Sequence, residues 1–308
     1  MSKRLVLIES MRSLGYAPIY LLLARGYLEA QGLSIEVRTA ETPTQASQLV
    51  LAGQGDIAWG GPIRILMNHD QDASCPLVCF GNVVARDPFV LIAREPSDQF
   101  RFADLVGRRV AVAAEVPTAW LTFQDDLARA GIDPESIIRD SAPTMRQNVD
   151  RFIAGEVDVV QVFEPHIQAL TAPKLGHVVH RFSTRGDISY SSFYTRKAFA
   201  DANLGTCRSL LGGLQRAQDA FRLEAPDVIA GEIAEYFPTL HPRTLAAAIS
   251  DYRAASLWPD TPRMHLAAFL RLKALAVSGG FIATDPPFST LVHPDLNVDI
   301  HSANGSSL

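Results

Sequence analysis

The chain has 308 residues, of which 47% are hydrophobic and 20% are charged, an ordinary composition for a soluble globular protein. Its 28 lysines and arginines against 33 aspartates and glutamates give a net charge of −5. This balance argues against nucleic acid as a partner, because proteins that bind the phosphate backbone carry a basic footprint. Apolar runs such as residues 19–24 are far shorter than the roughly 20 residues of a membrane-spanning helix, so we predict no membrane span.

The cysteines and the N-terminus limit the chemistry and the location further. Cys75, Cys79 and Cys207 are too few and too scattered for a disulfide framework, and no further ligand stands near the first two at zinc-site spacing. We therefore expect neither a metal nor a cofactor. The apolar run at residues 5–8 is shorter than the apolar core of about 7–15 residues in a signal peptide, so we predict no export signal.

A pattern of about 100 residues occurs twice. The first copy has a predicted strand, a polar loop, a helix and a second strand at residues 5–8, 10–15, 18–30 and 34–37. The second copy has the same order at residues 109–113, 114–118, 119–130 and 136–139. Each helix is followed by a glycine, Gly32 or Gly131, which is the expected left-handed cap.

A short sequence motif that occurs in both copies supports the repeat. Residues 51–59 and 153–161 both read apolar-Ala-Gly-x-x-Asp-apolar-apolar, which is typical of a helix end, a glycine cap and a buried parallel strand. Each copy then alternates strand, helix, strand, helix and strand. This order predicts an α/β protein with two lobes, each a mainly parallel sheet flanked by helices.

The two lobes must be joined by two crossings of the chain. Beta-rich runs at residues 77–80 and 88–93 flank the first predicted crossing, and residues 191–195 mark the return. We predict one lobe from residues 1–84 plus 192–308 and the other from residues 85–191. From residue 204 onward the pattern is helical, and we expect these helices to pack on the first lobe. The polar tail after Asn297 is predicted to fray.

A ligand is expected at the carboxyl ends of the strands, which two such lobes place on either side of a cleft. Four loops are predicted to line it: residues 10–16, 60–62, 114–118 and 163–166. The crossing at Arg86 and Asp87 and the return at residues 187–190 are predicted as the cleft floor. The candidate ligand-binding residues are Ser13, Gly15, Tyr16, Trp59, Gly60, Gly61, Arg86, Asp87, Glu115, Thr118, Phe163, Glu164, His166, Asp187 and Tyr190.

Several motifs, in this order along the chain, carry a resemblance to a known family. They are GYAPIY at 15–20, ARGYLEAQGL at 24–33, LAGQGD at 51–56, GRRV at 107–110, FEP at 163–165 and the closing segment at 281–296. Over residues 4–295 the chain resembles the substrate-binding proteins of ABC importers. The branch is the one that holds sulfonate, taurine, nitrate and formylaminopyrimidine binders and the fungal thiamine-pyrimidine synthases.

This resemblance implies a periplasmic-binding-protein-like (type II) fold whose cleft closes on a small solute by hinge bending. It also implies an ABC permease and ATPase as partners, a monomer and a periplasmic location. The predicted lack of an export signal favours the cytoplasm instead if the start is genuine, and both locations stay open.

The loop at residues 114–118 bears on the type of solute. Sulfonate and nitrate binders hold their anion on free N–H groups at a helix N-terminus. Here Pro117 lacks that donor and the Glu115 carboxylate repels an anion, which disfavours a simple oxyanion. Rings are abundant in or beside the loops: Tyr16, Trp59, Phe89, Trp120, Phe163 and Tyr190. Aromatic walls with Glu164 and Asp187 as hydrogen-bonding partners favour a planar nitrogen heterocycle, such as a pyrimidine precursor.

Several of these residues also have a purely structural interpretation. These interpretations are core packing for Trp59 and Trp120, helix capping for Thr118 and Glu164, an ion pair between Arg86 and Asp87, and structural histidines at His69 and His166.

An enzyme is the main functional alternative. The pyrimidine synthases use a lysine-bound pyridoxal phosphate, but Lys3, Lys174, Lys197 and Lys273 all lie outside the predicted loops. Residues 75–80 do not match the cysteine-rich word of those enzymes, and the sequence has no nucleophile-elbow, Walker or zinc-protease motif. We predict a non-enzymatic solute receptor. A small-molecule sensor, a biosynthetic enzyme and a sulfonate- or nitrate-type anion binder are the alternatives.

Overall fold

The computed structural model describes residues 3–140 and 144–297, which form two mixed sheets of five strands each, flanked by helices. The strands are β1 (Lys3–Glu9), β2 (Leu33–Thr39), β3 (Ile57–Gly60), β4 (Leu77–Val84), β5 (Val90–Ala93), β6 (Arg109–Ala111), β7 (Ile138–Asp140), β8 (Val159–Val162), β9 (His177–Arg181) and β10 (Ser191–Arg196). The tail after Asn297, which was predicted to fray, lies outside the described residues.

Helices cover both sheets and make up most of the chain after residue 196. They are α1 (Ala17–Ala24), α2 (Pro43–Leu51), α3 (Ile63–Gln71), α4 (Pro117–Arg129), α5 (Met145–Ala154), α6 (His166–Thr171), α7 (Lys197–Ala202), α8 (Leu204–Leu223), α9 (Pro226–Ile233), α10 (Pro242–Ala254), α11 (Leu266–Ser278) and α12 (Phe288–Leu291). Within the described residues, no helix is both long enough and apolar enough to cross a membrane.

The two sheets have equivalent strand orders: β6, β7 and β8 of the second sheet take the places of β1, β2 and β3 in the first, and β5 and β9 take the places of β10 and β4. The order is β2-β1-β3-β10-β4 in the first sheet and β7-β6-β8-β5-β9 in the second. Strand β10 runs antiparallel to β3 and β4, and strand β5 runs antiparallel to β8 and β9, while the other described pairings are parallel. The predicted two-lobed fold with mainly parallel sheets is confirmed. In each sheet the antiparallel strand is the one that the chain enters after crossing from the other sheet.

The two crossings lie side by side. Residues 85–89 lead from β4 to β5, and residues 182–190 lead from β9 to β10. The N–H of Ile188 donates to the Ala85 carbonyl at 2.8 Å, and the N–H of Tyr190 donates to the Val84 carbonyl at 3.0 Å. Short paired connections of this kind are typical of a hinge. The lobe boundaries at residues 84 and 192 stay a prediction about which parts move together.

Three elements differ from the sequence-based expectation. The helix expected over residues 18–30 ends at Ala24, because Gly26 turns the chain with a φ of +61°. Helix α4 begins at Pro117, two residues earlier than predicted, since the fixed φ of proline suits the first helical turn. Strand β9 was not predicted, because its residues are all half-buried and present no continuous apolar run.

The C-terminal helices contact both lobes. Helix α8 packs on α1 of the first lobe, and its apolar residues Leu210, Leu211 and Leu214 are buried. Helix α10 also contacts α6, and α11 contacts α4, both in the second lobe. The expectation that these helices pack on the first lobe alone is therefore incomplete. A two-pronged ion pair joins the lobes here, because both terminal nitrogens of Arg181 lie 2.8 Å from the carboxylate oxygens of Asp251.

Gly81→Ala should destabilise the fold by about 2–4 kcal/mol in urea unfolding. Gly81 has a φ of +68°, and an added Cβ would lie 2.4 Å from Cδ2 of Leu211, so both backbone strain and overpacking contribute. Gly107 is a matched control, because its φ is +72° but nothing lies within 4 Å of an added Cβ. Gly107→Ala should cost only the backbone term, about 1–2 kcal/mol. Equal losses in the two variants would show that the Leu211 contact is unimportant.

Candidate functional site

A cleft lies between the two sheets, at the carboxyl ends of β1, β2 and β3 in the first sheet and of β6 and β8 in the second, as predicted for this topology. Its cavity volume is about 60 Å³, which is below the usual range for a small-molecule site. Its walls are Ser10, Met11, Ser13, Gly15, Tyr16, Pro43, Gly61, Ile63, Arg64, Val84, Pro88, Phe89, Glu115, Val116, Pro117, Thr118, Phe163, Tyr190 and Ser191. Eight of the fifteen predicted residues are among them: Ser13, Gly15, Tyr16, Gly61, Glu115, Thr118, Phe163 and Tyr190.

The loop after β1 is held in place by a buried carboxylate that the sequence analysis missed. Glu9 accepts hydrogen bonds from Arg12 at 2.6 and 2.9 Å, from the Tyr20 hydroxyl at 2.5 Å and from Thr39 at 2.5 Å. Burial acts to raise the pKa of Glu9, but these hydrogen bonds outweigh it and lower the pKa below its ordinary value. The sequence feature that could have predicted this role is a glutamate at the end of an apolar strand. The same loop presents Ser13, whose hydroxyl accepts from the N–H of Gly15 at 3.2 Å.

Aromatic side chains form much of the cleft wall. Tyr16 comes from the first lobe, Phe163 from the second, and Phe89 and Tyr190 from the two crossings. The rings of Phe89 and Phe163 meet edge to face with centroids 4.9 Å apart. The Tyr190 hydroxyl is buried and has no hydrogen-bond partner among the described residues. A buried hydroxyl without a partner is costly, so a polar group of a ligand would satisfy it.

Two of the predicted rings lie elsewhere. Trp59 is fully buried behind Tyr16, with ring centroids 6.5 Å apart, so it has the packing of a core residue. Trp120 packs beneath the guanidinium of Arg139, which lies 4.4 Å from its ring centroid. The structural interpretation stated for both tryptophans fits these positions.

Arg64 is the main polar residue of the cleft that the sequence analysis missed. It lies in the first turn of α3, is half-buried and donates from Nη1 to the Thr44 hydroxyl at 3.0 Å. Burial lowers its pKa, and no carboxylate lies within ion-pair distance of it in residues 3–140 and 144–297. A cation at a helix N-terminus opposes the helix dipole, and this unfavourable placement was a readable signal. Arg64 therefore offers an uncompensated positive charge to a ligand.

Glu115 lines the cleft, but its charge is partly engaged. Its Oε2 accepts a hydrogen bond of 2.8 Å from the N–H of Met145, the first residue of α5. A carboxylate at that position is stabilised by the helix dipole. The predicted repulsion between Glu115 and an anionic ligand is weakened by this contact. Pro117 and the buried Thr118 lie beside it in the first turn of α4, as the loop pattern predicted.

The predicted cleft floor is wrong for its three charged residues, Arg86, Asp87 and Asp187, none of which lines the cleft. Arg86 and Asp187 form an ion pair of 2.9 Å that lines a different cavity, behind the crossings. Asp87 is 1% exposed and accepts hydrogen bonds from the Thr122 hydroxyl at 2.7 Å and the N–H of Phe89 at 3.0 Å. The alternative pairing of Arg86 with Asp87 is therefore also wrong. The crossings contribute apolar and hydroxyl-bearing side chains to the cleft, since their charged residues point away from it.

Three further candidates lie next to the cleft rather than in its wall. Glu164 and His166 line an adjoining cavity that shares Glu115 and Phe163 with the cleft. Glu164 caps α6, because its carboxylate accepts from the N–H and the side-chain amide of Gln168 at 3.2 and 2.9 Å. Gly60 packs against Ser10, whose hydroxyl would lie 3.0 Å from an added Cβ.

His69, which lies outside the site, has the structural role that was stated as its alternative. It is buried and its Nε2 lies 2.8 Å from the Leu77 carbonyl, which is the contact of a structural histidine. Among the described residues, no group of three or more histidine, cysteine, aspartate or glutamate side chains is arranged to hold a metal. Cys75, Cys79 and Cys207 form no disulfide and do not line the cleft.

Glu164→Gln is expected to remove a pH dependence of stability. Burial raises the pKa of Glu164 to about 7, so the folded protein prefers the protonated form. The stability that this form provides is lost as the pH rises from about 4.5 to about 7. The variant should match the wild type near pH 4.5 and exceed its free energy of unfolding by up to about 3 kcal/mol at pH 8. Urea unfolding across this range, with exposed Glu156→Gln as control, checks it, and parallel pH curves for wild type and Glu164→Gln would contradict it.

Comparisons with known proteins agree with this architecture. The model of the NMT1/THI5-like family matches residues 14–227. A Bacillus subtilis (strain 168) protein named "Putative binding protein YtlA" is 22% identical over 295 residues, which are 94% of this chain and 87% of that protein. The periplasmic aliphatic sulphonate binding protein SsuA from Escherichia coli superposes with a TM-score of 0.78 at 17% identity, covering 96% of this chain and 99% of that one.

An enzyme has the same fold. The desulfurization enzyme DSZB in complex with biphenyl-2-sulfinic acid superposes with a TM-score of 0.71 at 14% identity over the whole of both chains. At such identities the superpositions establish the fold alone. The family match covers more than half of the chain, and the resemblance stated from the sequence motifs is confirmed. The chain therefore belongs to the NMT1/THI5-like family and has the fold of its two-lobed periplasmic binding proteins.

Proposed function

We propose that this protein is the solute receptor of an ABC importer and that it works by closing two lobes on a small molecule. The observation that carries the proposal is Arg64, a half-buried cation without a carboxylate partner among the described residues, in a cleft walled by aromatic rings. Such a site is suited to binding, because the residues described there offer charge and shape but no paired nucleophile and base. The binding-protein relative and the SsuA-like fold support this proposal.

The site favours a solute that has a flat ring and an anionic group. Tyr16, Phe89 and Phe163 provide apolar faces for the ring, and the Tyr190 hydroxyl can bond to a ring nitrogen. The anionic group would pair with Arg64, and a charge-assisted contact of this kind is stronger than a neutral hydrogen bond. A planar nitrogen heterocycle remains the proposed ring. The anionic group is added because Glu164 and Asp187 are engaged elsewhere.

Two features of the structure would serve lobe closure: the paired crossings and the contacts of α10 with the second lobe. The paired crossings at residues 85–89 and 182–190 allow hinge bending. Helix α10 reaches across to the second lobe through the Arg181–Asp251 ion pair and through the Tyr252 hydroxyl, which accepts from the N–H of Glu164 at 3.0 Å. These contacts would favour the closed arrangement, in which both walls of the cleft touch the solute.

The same proposal assigns partners and location. A receptor of this kind delivers its solute to a permease and an ATPase, acts as a monomer and works in the periplasm, where SsuA of Escherichia coli is found. These assignments rest on the family resemblance. Co-purification of the protein with a membrane permease, in a solute-dependent manner, is the corresponding observation to seek.

An enzyme that acts on an aromatic sulfur oxyanion is the second candidate. It is favoured by the shared fold with DSZB, whose solved complex holds biphenyl-2-sulfinic acid, a ligand with flat rings and an anionic group. Against it, no cysteine lines the cleft in the described part of the chain, so a thiol nucleophile is lacking there. The sensor alternative differs from the receptor in its partners rather than in its site.

A thermal-shift screen followed by recovery of the ligand tests this proposal. The purified chain is heated with pyrimidines, pyrimidine carboxylates, aromatic sulfonates and sulfinates, alkanesulfonates and nitrate. A solute at 100 times its Kd should stabilise by about 2.7 kcal/mol, or several degrees. A shift with a ring-bearing anion that mass spectrometry recovers unchanged is the expected result. Conversion of a sulfinate to another product would establish the enzyme instead, and a shift with nitrate alone would contradict the ring.

A further inference from the structure

The cavity that adjoins the cleft is much larger than the cleft itself. Its volume is about 420 Å³, against about 60 Å³ in the cleft. This side chamber is lined by the loops after β1 and before α10 on one side, and by the starts of α5 and α6 on the other. The cleft and the side chamber share Met11, Ser13, Glu115 and Phe163 as walls. A solute of ordinary size therefore needs the side chamber as well as the cleft.

The two arginines of the side chamber are already compensated. Arg12 donates to both carboxylate oxygens of Glu9, at 2.6 and 2.9 Å, and to the Tyr236 carbonyl at 2.8 Å. Its three nitrogens are thereby all in use. Arg146 pairs with Asp150 at 3.2 Å on the protein surface. Neither arginine therefore brings an uncompensated positive charge into this space.

Glu115 has the uncompensated charge of the side chamber. Its Oε2 accepts from the N–H of Met145 at 2.8 Å, which fixes the direction of the carboxylate. Its Oε1 has no hydrogen-bond partner among the described residues and is not buried. Within residues 3–140 and 144–297, no basic side chain lies at ion-pair distance from it. The wall between the cleft and the side chamber therefore offers an open carboxylate oxygen.

His166 does not add a positive charge to the side chamber. Burial lowers the pKa of its ring, and the neighbouring Arg146 lowers it further. The ring is therefore neutral at pH 7, and one of its nitrogens is an acceptor. In the described part of the chain neither ring nitrogen has a hydrogen-bond partner, and neither is buried. The side chamber thus suits a group that donates hydrogen bonds and has a positive charge.

We propose that the solute of this receptor is a ring-bearing zwitterion whose protonated amine lies in the side chamber. This inference rests on the proposed receptor function, which places the ring and the anionic group in the cleft with Arg64. The amine would donate to Oε1 of Glu115, since an ammonium group has three donors and no acceptor. An unpaired buried charge is costly, and a zwitterion gives both Arg64 and Glu115 an opposite charge when the lobes close.

The test compares pairs of pyrimidine-4-carboxylates by isothermal titration calorimetry of the full chain. Each pair has a chain of one to four methylene groups at C2 or C6 that ends in an amine or in a methyl group. The series thereby covers different separations of the two charges. At least one amine should bind about tenfold more tightly than its methyl-ended partner. If the methyl-ended acids bind and no amine binds more tightly, the zwitterion is overturned and the receptor function stands. If neither kind binds, the ring-bearing anion is overturned as well.

Glu115→Gln tests which residue binds the amine. The variant keeps an oxygen for the N–H of Met145 but loses the charge. The best amine should bind it about tenfold more weakly, while its methyl-ended partner should not weaken. Glu135→Gln removes the same charge at an exposed position and should leave the preference for the amine intact. Equal losses in these two variants, or a preference that disappears only in Glu164→Gln, would overturn Glu115 as the partner. If Glu115→Gln does not fold, the ligand pairs still decide on the zwitterion with the wild type.

Discussion

Arg64→Gln should weaken the binding of pyrimidine-4-carboxylate by about 10- to 100-fold, the loss expected for one charge-assisted contact of about 1.5–3 kcal/mol. The arginine is half-buried and lacks an ion-pair partner in the described ranges, so a bound carboxylate would be its first. The variant should leave the affinity for uncharged pyrimidine almost unchanged, because the aromatic walls remain. Isothermal titration calorimetry with both probes separates the charge contribution from the ring contribution.

The control for this experiment is Arg38→Gln in the same lobe. Arg38 lies on β2 and pairs with Glu36 at 2.6 Å on the protein surface, away from the cleft. It removes the same formal charge, so it corrects for a long-range electrostatic effect on an anionic ligand. A loss of affinity equal to that of Arg64→Gln would show that net charge, rather than a contact in the cleft, controls binding.

Arg185→Met should reduce the free energy of unfolding by about 3–5 kcal/mol at pH 7, because it leaves two buried carboxylates without their cation. The side chain of Arg185 is 8% exposed and forms an ion pair with Asp126, and it also donates to the Thr122 carbonyl at 2.8 Å. Thr122 in turn donates to Asp87. This cluster connects both crossings to α4, so thermal unfolding should shift by roughly 10 °C.

The loss in Arg185→Met should shrink at acid pH. Burial raises the pKa of Asp126 to about 6, with Arg185 opposing the shift, and burial also raises the pKa of Asp87. Below pH 6 the Asp126 carboxyl takes up a proton in the folded state and no longer needs the cation, so the deficit at pH 5 should be smaller than at pH 7. Adding Asp126→Asn should recover part of the loss. The exposed pair Arg146–Asp150 provides the control Arg146→Met, which should cost less than about 1 kcal/mol, and an equal loss there would contradict the account.

The fold was largely readable from the sequence because its signals are local. The glycines Gly32 and Gly131 each end a helical segment with a left-handed residue, and the repeated motif at residues 51–59 and 153–161 marks a helix end followed by the buried strands β3 and β8. Strand β9 was not predicted, because its partly exposed residues form no apolar run and follow no glycine cap of this kind. The contacts of α10 and α11 with the second lobe were not predicted either, because helix periodicity shows that a face is buried but does not identify the surface that covers it.

The site was harder to predict than the fold, because a sequence pattern does not show which way a side chain points. Tyr16, Phe163 and Tyr190 were found from their loops, and the structure brings them together in one cleft. Asp187 was misplaced because a residue beside a crossing can face either side of it, and Arg86 draws it to the rear. Arg64 was missed because it stands just past a predicted loop, inside the first turn of α3.

The most direct test of the central claim is a calorimetric comparison of pyrimidine-4-carboxylate with its two halves, pyrimidine and a small anion such as ethanesulfonate. The ring-bearing anion should bind at least tenfold more tightly than either half, because the aromatic walls and Arg64 each contribute. Nitrate or ethanesulfonate binding as tightly as pyrimidine-4-carboxylate would contradict the claim, since the aromatic walls would then have no part in recognition.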